Sequence, residues 1–187
     1  MVTNEQAREL LMRHGECSAQ DASDWAGDID LPTSIAEFYK SVGPADVSIE
    51  SIGLTFSIPS LASLWDAQSG YRSHQKTGER FASWESDWIV VADAQEDPLP
   101  YVFSQGRISY CSSNNSGWSV EDLLPDLNSL VASLATLGDV AMGHGGELTD
   151  EDFDVRPNVI ADAQERLLQL LGDSETVSLF LETAGWT

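Results

Sequence analysis

Residues 85–103 read ESDWIVVADAQEDPLPYVF. Residues 88–92 form a short run of aromatic and β-branched side chains, an acidic turn follows with Asp93, Glu96 and Asp97, and a second apolar run is broken by Pro98 and Pro100. Two such runs around a polar turn predict a β-hairpin. A further strand is expected over 107–111, reached through a tight Gln105-Gly106 turn. The three acids admit two readings. Catalysis would need two carboxylates facing each other across a substrate with their pKa values pushed apart. Acids in a turn ahead of a proline are ordinarily solvated and ionised, so the turn is expected to be either a plain solvated turn or a partner contact, not a catalytic pair.

Working outward toward the N-terminus, VSIESIGLTFSI (47–58) alternates apolar and polar residues around Gly53 and predicts another hairpin. Between the hairpins, Leu61, Leu64, Trp65 and Gln68 recur at helical spacing, which predicts a helix packed on the sheet with Trp65 facing the core. Ahead of them, residues 4–14 form an amphipathic pattern stopped by Gly15, and DLPTSIAEFYKSVGP places Ile35, Phe38, Tyr39 and Val42 on one helical face after Pro32. Toward the C-terminus, SVEDLLPDLNSLVASLATLG predicts a long helix that opens on Ser119 and Asp122 as a capping box and ends at Gly138. A Gly-rich and acidic linker is expected before Pro157, then two helices over 159–171 and 174–184. Helices, then consecutive strands, then helices predict an α+β fold with a mainly antiparallel sheet of about five strands flanked by helices. The expected division is a domain over 1–138 with an extension over 139–187 packed on it.

Nine Lys and Arg face thirty-one Asp and Glu, a formal net charge of −22. Such a chain repels nucleic acid and anionic lipid and suits a basic protein partner, although adaptation to salt or plain solubility also produces acidity. The start, MVTNEQARELLMRHGE, has no basic leader or apolar core, so a cytoplasmic location is expected. Cys17 and Cys111 are too few for a disulfide framework.

The chemistry-bearing patterns are weak. His14 and Cys17 stand in H-x-x-C spacing and residues 144–147 read HGGE, but three histidines and two cysteines do not assemble a four-ligand zinc site in this pattern. The run from Asp150 resembles the start of a calcium loop, yet position six is Val155 and position twelve is Ala161. Nucleophile elbows, P-loops and dinucleotide fingerprints do not occur. No catalytic residue, metal or cofactor is therefore expected. Of the six tryptophans, Trp84 and Trp118 flank strands beside polar residues, a setting that fits either a half-exposed recognition surface or packing.

The LPTSIAEFY helix entry, the SWESDWIVVA strand running into an acidic turn and the YVF strand after it resemble the SUKH superfamily, which joins fungal cell-wall-assembly regulators to bacterial immunity proteins. The likeness spans about residues 25–137. Where the family carries a glycine-containing turn, this chain has Ala94-Gln95-Glu96-Asp97-Pro98. The resemblance implies a non-enzymatic antidote that holds a toxin, often a nuclease or another toxic enzyme, in an inactive complex, and the net charge independently suits a basic protein toxin. The alternative it implies is a regulatory or scaffold domain of the fungal type. The expected partner-binding residues are Trp84, Glu85, Asp87, Asp93, Glu96, Asp97 and Trp118.

Overall fold

The computed structural model describes every residue except 95, 96, 115, 116, 146 and 187, and residues 113, 114 and 117 by backbone alone. Strands β1 (Val47–Glu50), β2 (Thr55–Ile58), β3 (Trp88–Ala94), β4 (Asp97–Val102), β5 (Arg107–Asn114) and β6 (Gly117–Leu124) form one antiparallel sheet. Their order in space is their order in sequence. The fold is α+β, with one strand more than the five expected.

β3 is buried on both faces, which is why its sequence is a continuous apolar run and not an alternation. Ile89 and Val91 face the large core, while Trp88 and Val90 face a smaller one. A bulge between Val90 and Ala92 resets the alternation, so that Ala92 and Ala94 return to the large core. Pro98 and Pro100 of β4 have no N–H to offer a neighbour. The β4–β5 ladder is correspondingly short, pairing Tyr101 with Ile108 and Val102 with Arg107.

The large core lies under helices α1 (Asn4–Leu11), α2 (Thr33–Ser41), α3 (Leu127–Gly143), α4 (Pro157–Leu171) and α5 (Ser174–Thr183). Thr3 and Gln6 cap α1 reciprocally, the Thr3 hydroxyl accepting from the Gln6 N–H at 3.2 Å and Gln6 Oε1 accepting from the Thr3 N–H at 3.0 Å. Pro32 immediately precedes α2, and Ile35, Phe38 and Tyr39 are its buried face. Burial raises the pKa of the Tyr39 phenol, and Asp46 adds to the rise. α4 and α5 arise where their apolar periods lie, divided by Gly172 at φ 75° and capped by Asp173. Trp186, beyond α5, is fully buried and donates from Nε1 to Ser51 Oγ at 2.9 Å, tying the C-terminal segment to the β1–β2 connection.

Two expected helices differ, one of them at both ends. Residues 119–124 are strand β6, not the first turn of a helix; α3 starts at Leu127, capped by Asp126, whose Oδ1 accepts from the Ser129 N–H at 2.7 Å. That cap contributes about 1 kcal/mol. Nor does Gly138 end α3, which continues to Gly143. A Cβ at position 138 would lie 2.5 Å from Ile49 Cγ2 and 2.6 Å from His14 Cε1, so glycine is there for close approach. Finally, residues 61–68 keep their helical spacing only through successive turns and a 3-10 turn at Asp66–Gln68, and Gly70 at φ 98° redirects the chain. Among the described residues no helix is long and apolar enough to cross a membrane.

Candidate functional site

The second face of the sheet carries Trp88, Val90, Val102 and Cys111, with Trp118 and Val120 packed beside them. Residues 71–84 cover it without regular structure. After Gly70, the chain folds back on itself through hydrogen bonds from the His74 N–H to the Glu79 carbonyl (2.8 Å) and from the Phe81 N–H to the Arg72 carbonyl (3.0 Å). This return brings Tyr71 and Phe81 over the sheet and sets Trp84 beneath them.

Trp84 is 5% exposed, which corrects its expected place on a recognition surface. Its Nε1 donates to the Trp88 carbonyl at 3.2 Å, and its ring meets Trp88 at 5.4 Å and Trp118 at 5.6 Å, both edge to face. Its neighbour Glu85 is exposed and Ser83 is half-buried, while the indole fills a core. Trp118 is half-buried, held edge-on by Tyr71 at 5.9 Å. Trp65, expected in the core, is also half-buried; it packs edge-on against Trp25 at 5.3 Å, and the Arg72 guanidinium lies 5.2 Å from its ring centre.

The acidic candidates divide between the two ends of β3, whose length separates Asp87 from Asp93 by about 20 Å. At the entry end, Glu85 is exposed and Asp87 is half-buried, accepting a hydrogen bond from the Ser104 hydroxyl. At the turn end, Asp93 accepts from the Tyr71 hydroxyl, and Asp97 is exposed at the start of β4. Burial, then Asp97 and Cys111, raise the pKa of the Tyr110 phenol, so Asp97 acts on the neighbouring β5. Glu96 lies outside the described residues. The structure thus gathers Asp93, Trp118 and the unforeseen Tyr71 into one connected group, with Asp97 at the same end of the hairpin, and leaves Glu85 and Asp87 elsewhere. Tyr71 follows Ser69-Gly70 just beyond the helical spacing of residues 61–68, and only the fold-back after Gly70 carries it to Asp93.

Two buried polar side chains support this face. Gln68, 2% exposed, satisfies both backbone groups of Val90: its Oε1 accepts from the Val90 N–H at 2.8 Å and its Nε2 donates to the Val90 carbonyl at 2.9 Å. It acts as a one-residue strand where β2, which pairs with β3 only at Ala94 and Asp93, does not reach. Arg72, 3% exposed, donates long hydrogen bonds to the Ser86 carbonyl at 3.3 Å and the Trp88 carbonyl at 3.4 Å.

Among the described residues no group of three or more His, Cys, Asp and Glu side chains is placed to hold a metal ion. His14 Nε2 lies 2.9 Å from the Ala135 carbonyl and 3.2 Å from Asp139, which ties His14 to α3, and the Cys17 carbonyl accepts from Arg8 at 2.7 Å. Asp150 Oδ1 accepts from the N–H groups of Asp152 and Asp154, closing a turn of its own loop. Comparison with protein-family models, with curated proteins and with solved structures finds no match to this chain.

Proposed function

We propose that the chain is a non-catalytic binding module of the immunity type, acting in the cytoplasm without a cofactor and silencing a basic protein toxin by stoichiometric contact. The observation that carries this reading is the turn end of the β3–β4 hairpin. There Asp93 is fixed by Tyr71 beside the half-exposed Trp118, Asp97 projects from the same end of the hairpin, and the chain around it bears a charge of −22. A rigid aromatic with carboxylates nearby suits a desolvated anchor with an electrostatic rim. The long-range field steers a cationic partner toward it, and a nuclease, whose substrate channel is basic, has the required complement. The contact surface proposed is Asp93, Asp97 and Trp118 at its centre, with Glu85 and Asp87 as peripheral charges.

The test is a growth rescue. Proteins retained by the tagged chain are expressed singly in a naive host, with and without the chain. One of them should be toxic alone and harmless in its presence, and Asp97→Lys or Trp118→Ala should abolish rescue while the variants remain folded. If no retained protein is toxic, or if both variants rescue as well as the parent, the immunity reading fails and a scaffold of weakly bound cellular proteins takes its place.

A further inference from the structure

One stretch runs against the charge of the molecule. Residues 71–80 carry Arg72, Lys76 and Arg80, three of the nine Lys and Arg, together with His74 and a single acid, Glu79. Between this fold-back and β6 lies an open cleft of about 510 Å³, lined by Tyr71, Phe81 and Trp118 and by His74, Gln75 and Lys76. Small-molecule sites typically measure about 300–1,000 Å³ and combine aromatic walls with a few placed polar groups. Tyr71 meets Trp118 edge to face, and His74 lies 6.3 Å from Phe81 with the rings inclined at 53°, so the walls are aromatic on both sides. All three hydrophobic wall residues are half-buried, whereas His74, Gln75 and Lys76 are exposed and accessible to a ligand.

We propose that this cleft binds a planar aromatic small molecule bearing an anionic group. The aromatic walls take the ring, and Lys76, with His74 and Gln75 as further donors, takes the anion. A cationic guest, which an aromatic enclosure would otherwise favour, is opposed by Lys76 in the cleft wall. Asp93, held by the Tyr71 hydroxyl, is the acid at this wall; the more distant negative field reaches only about 8 Å at physiological salt, and the charged side chain lining the cleft itself is Lys76. Gly70 at φ 98° and Gly78 at φ 69° shape the turn that carries Lys76. The inference does not rest on a toxin partner, and Tyr71 and Trp118 are the residues the two sites share.

The test is calorimetric titration of the purified full chain with 1-naphthoate and with adenosine monophosphate, using 1-naphthalenemethanol and adenosine as their neutral counterparts. At least one anion should bind in the submillimolar range, with its neutral counterpart weaker by about tenfold. Preference for naphthoate assigns a carboxylate ligand and preference for the nucleotide assigns a phosphate. Lys76→Glu, a change at an exposed residue, should weaken binding by about tenfold or more with the thermal midpoint unchanged. Trp118→Ala should weaken anion and neutral compound alike. Absence of binding at millimolar concentration, equal affinity for the neutral compounds, or unchanged affinity in Lys76→Glu would each overturn the proposal.

Discussion

Gln68 shows how much one side chain can carry when a sheet leaves a gap. Its carboxamide replaces a missing strand beside Val90, and removing it strands two buried backbone groups. Gln68→Leu should destabilise the protein by about 2–4 kcal/mol, seen as a lower urea midpoint; an unchanged midpoint would mean that water reaches Val90. Cys111 makes a separate statement about the same face. Burial pushes its thiol up to about 12 from an ordinary 9.0, so between those values the unfolded chain ionises there and the folded one does not. The stability this thiol contributes is whole below pH 9.0 and falls as pH rises through that window. In native protein at pH 8, a disulfide-exchange reagent should modify half-buried Cys17 first, and Cys111 only at the rate of unfolding. Equal rates would contradict the burial. Residues of this kind were the least legible in the sequence. Trp84 has polar neighbours on either side, and only the return of residues 71–81 over the sheet decides that it is covered.

Elements were legible wherever a local period matched its burial. The 47–58 hairpin, the WIVVA strand, α2, α4 and α5 all show their type in their side chains. β6 did not, because Ser119 and Asp122 imitate a capping box and Leu123-Leu124 imitates the start of a helix, while the pairing of Val120 with Cys111 that makes it a strand is a tertiary fact. Gly138 was misread for a related reason: a stop and a close approach both call for glycine. Gly138→Ala decides between them. Helix propensity alone would stabilise by about 1 kcal/mol. The contacts with Ile49 and His14 should reverse that sign and destabilise by about 1–3 kcal/mol, measured as thermal or denaturant midpoint. A stabilised variant would mean that α3 has room at its crossing with α1 and β1.

At the scale of the whole molecule, one hydrophobic cluster runs from Val2 to Trp186, so the C-terminal helices share the core of the sheet. Trp186→Ala should cost about 3–5 kcal/mol and lower the whole unfolding transition, without creating a separate early one. Two transitions would show instead that α4 and α5 unfold as a separate unit. The net charge is the other property of the whole. It was fully legible in the sequence, and so was the acidic turn that holds Asp93 and Asp97 at one end of β3; the aromatic cleft beside the cationic turn was not, because the return of residues 71–81 toward Trp118 is a tertiary fact. A charged, aromatic-anchored surface is the central claim, and inhibition stoichiometry tests it most directly. The toxic enzyme identified by rescue is titrated with the chain at concentrations far above the dissociation constant, and residual activity is recorded. The account predicts a straight fall to zero at one equivalent, fully restored when the complex is separated. Inhibition without a stoichiometric end point, or activity lost permanently at a small fraction of an equivalent, would contradict it.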